Sequence, residues 1–364
     1  AGERSGELHG ANLYSEIKQA DPAAEAFGIG GKFMEEAGVK LSLSYDELAI
    51  MGFWELVEKY STIRSAMKLV KKELSEIRPD VLILIDYAGF NLRIAKFAKE
   101  LGIKVFFYIS PKIWAWDEGR VEKIRKLVDR MFVILPFEKD FYARHGIEVD
   151  YVGNPILDAL HEFVPNTRFL EQNKLSEQPI IAVLPGSRKN EIESTLFRML
   201  SILPAFPEHQ FVVAAVDNHP KKYYEQFRRN GQVQIVYEQT YDLLYHSEMA
   251  LVTSGTATLE TALFKVPQVV CYRMNFLTYW IAKMLVKIKY ISLVNLIADR
   301  KVVTELIQDD FTPSNIREEL TKIKSGEPGR LAILKGYDDI LEKIGKPGAS
   351  KRAAEAMVSR LLGK

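Results

Sequence analysis

The sequence predicts an α/β protein of two doubly wound halves facing a cleft, and three observations carry that expectation. Short apolar runs alternate with helix-like stretches through residues 1–158, and the alternation restarts after the polar stretch Pro165 to Gln178. Val81–Ile85 is five consecutive apolar residues, the pattern of a strand covered on both faces in a parallel sheet. A chain of 364 residues is long for one core and ordinary for two. No solenoid period or low-complexity tract is present. The expected division is 1–160, 161–335 and a helical tail, 336–364.

Composition narrows the class. Apolar content of 47% and charged content of 27% are those of a soluble globular chain. A net charge of +1 provides no global field that would select nucleic acid. The single Cys271 excludes an internal disulfide and a multi-cysteine metal site, and fits a reducing compartment. No apolar run reaches the roughly 18 to 20 residues of a membrane span, and no signal-peptide pattern is seen.

In chain order, Gly2 to Glu7 reads as a strand-to-helix turn leading into a helix from about Leu8 to Gln19. A parallel α/β domain opens on a strand and none precedes this turn, so the first strand is expected to be missing from the sequence as given. Ala26 to Gly31 reads as a short strand entering a glycine-rich turn. It departs from the dinucleotide fingerprint, because Phe33 stands at the sixth position. A helix around Trp54 to Ile77 follows, then Val81–Ile85, a helix, and strands at 104–109 and 131–135. The second half is expected to carry strands at 180–184, 211–216, 233–236, 249–252 and 267–272, with a charged helical tail from about Phe311.

Candidate chemistry gathers where strands end. In open α/β sheets ligands bind at the carboxyl ends of strands. Asp86, directly after Val81–Ile85, is therefore placed for catalysis or binding, or else for a local cap or ion pair. Ser254-Gly255-Thr256 stands between a strand and a helix, where a helix N-terminus favours phosphate, and Glu260 falls one turn later, within reach of a ribose diol. Pro185-Gly186-Ser187-Arg188 adds a second turn and a guanidinium suited to a pyrophosphate. Each turn taken alone reads as a plain N-cap before it reads as a ligand site. The two together, with no Walker lysine motif, favour a nucleoside-diphosphate site.

There is no Asp-x-Asp pair, no His-Glu-x-x-His and no G-x-S-x-G elbow, and the six His are scattered. His9, beside the first glycine turn, reads as functional or as a helix-face residue. Two stretches suggest a membrane surface. One is Met51 to Val57 with the lysines and arginine that follow. The other is Cys271 to Ala298, which lacks any acid and sets Arg273, Lys283, Lys287 and Lys289 among aromatic and aliphatic residues. A core helix with a basic stripe is the competing reading. Trp114 and Trp116 would line an acyl pocket or fill a core.

These motifs together resemble the lipid-A-disaccharide synthases, inverting glycosyltransferases of the GT-B type with two Rossmann-like domains. The resemblance runs through Ala1-Gly2-Glu3-x-Ser5-Gly6, Leu48-Ala49-x-Met51-Gly52, Asp86-x-x-x-Phe90-Asn91 and Ser110-Pro111-x-x-Trp114-Ala115-Trp116. It continues through Leu135-Pro136-Phe137-Glu138, Val152-Gly153-Asn154, Leu184 to Arg188, Ser254 to Glu260, Tyr272-Arg273-Met274 and Ser292-Leu293-x-Asn295-Leu296.

The resemblance implies transfer of 2,3-diacylglucosamine from UDP-2,3-diacylglucosamine to 2,3-diacylglucosamine 1-phosphate. The products are the β-1′,6-linked disaccharide 1-phosphate, on the way to lipid A, and UDP. It implies Asp86 as general base, and Glu3, Ser5 and Gly6 as the first cleft loop. Arg188, Ser254, Gly255, Thr256 and Glu260 fall on the nucleotide side, with Asn295 near it. Asn91, Trp114, Trp116, Asn154 and Arg273 join the candidate substrate contacts.

No cofactor or metal is implied. The implied setting is the cytoplasmic face of a Gram-negative inner membrane, held peripherally through the two basic apolar stretches, with room for a homodimer and a tail folded back on the first domain. Two departures stand out. Glu7 replaces the family's Asp, and Tyr87-Ala88-Gly89 removes a second acid near Asp86. Another GT-B enzyme, such as a UDP-sugar epimerase or a lipid glycosyltransferase, and an inactive UDP- or lipid-binding module are the alternatives.

Overall fold

The computed structural model describes residues 1–2, 4–44, 56–116, 118–274 and 288–363. Glu3, the Leu48 to Gly52 motif with the rest of the first basic apolar stretch up to residue 55, and residues 275–287 of the second lie outside the described residues, as do the Ser5 and Trp116 side chains. The chain divides into two units, Ala1–His161 with Ile344–Lys364, and Glu162–Lys343.

In the first unit β3 (Val81–Ile85), β4 (Lys104–Tyr108), β5 (Arg130–Val133) and β6 (Asp150–Tyr151) form a parallel sheet in that order. β1 (Phe27–Gly30) and β2 (Lys40–Ser44) form a separate parallel pair, so the described strands make two sheets where one was expected. The helix Arg4–Ala20 lies against both. Gly10 permits this, because a Cβ there would stand 3.0 Å from Met34 Sδ and 3.2 Å from Ile85 Cδ1. Leu13, one turn on, enters a core with Ile85, Phe106, Tyr108, Phe132 and Val152. Burying such side chains stabilises by about 1.5–3 kcal/mol each.

The last helix, Ala349–Leu362, completes this core with Ala353, Ala354 and Met357. It is fastened from both ends of its first turn. Asp158 accepts from the N–H groups of Gly348, Ala349 (3.2 Å) and Ser350 (3.1 Å). Arg352 donates to the carbonyls of Val152 (2.8 Å), Pro347 (2.8 Å) and Lys346 (2.9 Å). The helix Pro328–Ile344, by contrast, stays with the second unit up to Lys343. Its Tyr337 is buried and donates to the Val266 carbonyl at 3.1 Å.

The second unit is one parallel sheet in the order β12-β11-β10-β7-β8-β9. The strands are β7 (Ile180–Leu184), β8 (Gln210–Ala215), β9 (Val233–Tyr237), β10 (Ser247–Thr253), β11 (Gln268–Tyr272) and β12 (Thr304–Ile307). β7 is buried along its whole length, as a continuous apolar run requires between two helical layers. Three strands were absent from the sequence reading. β6 has two residues, β12 is a mixed-polarity edge strand, and β2 alternates Lys-Leu-Ser-Leu-Ser.

Candidate functional site

In the first unit the chain leaves β3 through a strained turn. Asp86 and Tyr87 have φ of 47° and 39°, two consecutive non-glycine residues in the left-handed region. Each such residue costs on the order of 1–3 kcal/mol and persists only when its surroundings hold it. Asn91 provides the hold. Its Nδ2 donates to the carbonyls of Ile85 (3.1 Å) and Asp86 (2.7 Å). Asn91, read as a substrate contact, is buried as the clamp of the Asp86 turn. The half-buried Asp86 carboxylate has no hydrogen-bond donor among the described side chains.

The neighbouring helix approaches this turn on its glycines. A Cβ on Gly6 would lie 3.7 Å from Ile85 Cγ2 and 4.0 Å from Asp86 Cβ, while one on Gly2 would collide with the Tyr87 ring at 2.7 Å. His9, one turn after Gly6, is sunk into the unit with its Nδ1 unpartnered. Burial pulls its pKa down to about 4 against the opposing pull of Asp86 and Asp158, so its imidazole is neutral at pH 7. Glu7 is also buried, and its extra methylene reaches the Phe33 N–H at 2.7 Å, the start of the helix Lys32–Glu36.

Trp114 belongs to the core reading. Its Nε1 donates to Glu138 Oε1 at 3.1 Å, and its ring meets Phe137 edge-on at 4.9 Å. Glu138 also accepts from the N–H groups of Ile134 (3.2 Å) and Leu135 (2.9 Å). Burial pushes its carboxyl up to about 7 despite these donors. Asn154 is buried too, and its Oδ1 accepts from Ile156 N at 3.1 Å to cap the next helix.

In the second unit the sheet order sets β11, β10 and β7 side by side, so three predicted elements meet at their carboxyl ends. These are Arg273, the Ser254–Thr256 turn and the Pro185–Arg188 turn. Ser194 Oγ ties two of them, donating to the Arg273 carbonyl at 3.1 Å from the helix that follows Arg188. The exposed Arg188 guanidinium pairs with Glu191 at 3.5 Å. Arg198, unremarked in the sequence, stands close enough to Arg273 that burial and this like charge hold it below its usual pKa.

Gly255 has φ 148° and ψ −159°, a conformation open only to glycine, and starts the eight-residue helix Thr256–Leu263. Ser254 Oγ donates its proton to the Ile291 carbonyl at 2.9 Å. A phosphate at this turn would therefore meet the N–H groups of the helix N-terminus and the exposed Thr256 hydroxyl. Glu260 accepts from the Tyr241 hydroxyl at 3.1 Å, beside Phe264 and Phe163. Burial raises its pKa, and Tyr241 opposes the rise.

The Asn295 side chain is taken up by internal partners. Its Nδ2 donates to the Val303 carbonyl and Glu305 Oε1, both at 2.9 Å, and its Oδ1 accepts from Val302 N (2.7 Å) and Val303 N (3.0 Å). The described end of the second basic apolar stretch is likewise internal: Leu293, Val294, Ile297 and Ala298 are buried. Among the described residues no group of three or more His, Cys, Asp or Glu is arranged to hold a metal, and no helix is long and apolar enough to cross a membrane.

The family model of the lipid-A-disaccharide synthetases matches residues 1–356. The chain belongs to that family. Two lipid-A-disaccharide synthases, from Syntrophus aciditrophicus and Myxococcus xanthus, are each 38% identical to it. The first covers 97% of this chain and 94% of the relative, the second 99% and 96%.

Solved structures agree in fold at much lower identity. A putative UDP-N-acetylglucosamine 2-epimerase from Listeria monocytogenes superposes with a TM-score of 0.69 at 13% identity, over 100% of this chain and 96% of that one. The calicheamicin glycosyltransferase CalG4 gives 0.59 at 15%, over 100% and 96%. The architecture is that of the GT-B glycosyltransferases and epimerases, two Rossmann-like domains.

Proposed function

We propose that this member of the family transfers 2,3-diacylglucosamine from its UDP derivative to the 6-hydroxyl of 2,3-diacylglucosamine 1-phosphate. Asp86 takes the hydroxyl proton, the freed oxygen attacks the donor's anomeric carbon with inversion, and the bond to the β-phosphate breaks to release UDP. The observation that carries this is the strained Asp86–Tyr87 turn clamped by Asn91. Strain held at one strand end fixes the direction of a single carboxylate, which is what a general base needs.

On the nucleotide side, Arg188, Arg273 and the N-terminus of the helix Thr256–Leu263 offset the charge that develops on departing UDP. Glu260 receives the ribose diol, in exchange with or beside Tyr241. Asn91, Trp114, Asn154 and Asn295 act as internal supports for these surfaces. The stretches Met51 to Val57 and 275–287 bring the chain to the cytoplasmic face of the inner membrane, where both lipid substrates reside.

The test is a mixed-micelle assay with UDP-2,3-diacylglucosamine and 2,3-diacylglucosamine 1-phosphate, comparing wild type with Asp86→Asn. Disaccharide and UDP should form together in wild type and drop by about 100- to 10,000-fold in the variant. Near wild-type turnover by Asp86→Asn would sink the assignment. UDP formed without disaccharide would turn the reading towards hydrolysis or epimerisation. Sedimentation with vesicles of anionic lipid checks the membrane claim separately.

A further inference from the structure

We infer that Glu305 is a positioning residue for the Ser254–Gly255–Thr256 turn, acting through the backbone of Ile291; this rests on the reading of that turn as the nucleotide side. Glu305 stands on the edge strand β12 and touches none of the proposed ligand contacts on the central strands. Its carboxylate is nevertheless surrounded by donors. Oε1 accepts from Ser292 N (3.0 Å), Ser292 Oγ (2.7 Å) and Asn295 Nδ2 (2.9 Å), and Oε2 accepts from Ile291 N (3.0 Å). The other face of the Ile291 residue, its carbonyl, takes the Ser254 hydroxyl at 2.9 Å.

The two bonds at Ile291 form a relay. Oε1 fixes the Ser292 N–H, which shares one planar peptide with the Ile291 carbonyl, Oε2 fixes the Ile291 N–H of the preceding peptide, and the carbonyl so held between them fixes the side chain next to Gly255. Asn295 closes the arrangement from behind by holding Val302 and Val303, the residues that lead into β12. Four neutral donors around a carboxylate that pairs with no cation among the described residues are a costly way to hold a plain loop. A carboxylate is the one side chain that can accept at both oxygens, and both oxygens are in use here.

Glu305→Gln tests this without changing shape. Three donors converge on Oε1, so the amide oxygen takes that place and the NH2 falls opposite Ile291 N–H. Two donors then face each other at one point of the relay, while the Ser292 and Asn295 contacts survive. Titration with UDP should show Glu305→Gln weakening binding by about tenfold, the loss of one well-placed hydrogen bond. Ser254→Ala should weaken it by a similar factor, and the double variant by no more than either alone, because both cut one path. The acceptor KM should stay at its wild-type value.

Amide exchange should quicken at Ile291 in Glu305→Gln, with the melting temperature little changed. Additive losses, or wild-type UDP affinity in Glu305→Gln, overturn the relay. If wild type binds no UDP, the nucleotide reading falls. The exchange of Ile291 and its response to Ser254→Ala then decide the relay alone: unchanged exchange in both variants overturns it.

Discussion

The two proposed working turns sit at the same kind of place, the carboxyl end of a parallel strand, and are made in opposite ways. In the first unit, two side-chain-bearing residues are forced into the left-handed region and an asparagine holds them there. In the second, glycine adopts a backbone that other residues avoid, and the support comes from a carboxylate and an asparagine at the sheet edge. The difference follows from what each presents. A carboxylate must belong to a residue with a side chain, so glycine cannot relieve the turn at Asp86. A turn that presents backbone N–H groups to a phosphate has no such need, and a Cβ at Gly255 would only add strain.

The largest effect should come from removing the one charged group that the strained turn presents. Asp86→Asn should lower kcat by about 100- to 10,000-fold and leave both KM values and the melting temperature nearly unchanged. Gly255→Ala should do the reverse. Its backbone strain of roughly 1–3 kcal/mol should appear first as weaker UDP binding in a titration, with acceptor KM preserved. A kcat loss with intact UDP affinity would break the contrast between the turns.

Asn91→Ala comes next. Loss of two bonds to backbone carbonyls should destabilise by about 1–3 kcal/mol in urea unfolding. It should also lower kcat more than either KM, since Asp86 is no longer aimed.

The smallest net effect is that of pH on the wild type, because two buried groups oppose each other. His9 has its pKa lowered to about 4, from 6.5, so the unfolded chain binds more protons across that window and stability rises with pH through it. Glu138 has its pKa raised to about 7, from 4.5, so the folded chain binds more protons and stability falls as pH rises through that window. The two nearly offset between pH 4.5 and 6.5. His9→Gln should expose a falling slope and Glu138→Gln a rising one, each at most about 1.4 kcal/mol per pH unit. Urea midpoints across pH 4 to 8 read both. Parallel profiles would remove the assignment.

Much of the architecture could be read from the apolar runs, because a strand such as β7, buried on both faces, is recorded in consecutive residues, and β3 is recorded in the same way although its first three residues are only partly buried. β12 was invisible for the complementary reason. As an edge strand carrying Glu305 it has only partial burial, and its acid is needed for contacts 10 to 14 residues away. The sequence singled out Asn91 and Asn295 as candidate substrate contacts, and nothing in their surroundings was legible from it. A motif records that an amide is required, and only the structure shows both amides facing inward onto backbone. His9 was hidden similarly, since its helix face became interior through Gly6 and Gly10, which let the helix close on β3.

The fastening of Ala349–Leu362 by Asp158 and Arg352 has a consequence for synthesis. Contacts 190 to 200 residues apart complete the core that holds β3 and β4. The ribosome finishes everything the second unit needs, Glu162–Lys343, before it has made the helix that closes the first. The domain begun earlier is therefore the one finished last. Through most of translation the sheet behind Asp86 presents an open apolar face, which makes it the part of the nascent chain most in need of a chaperone.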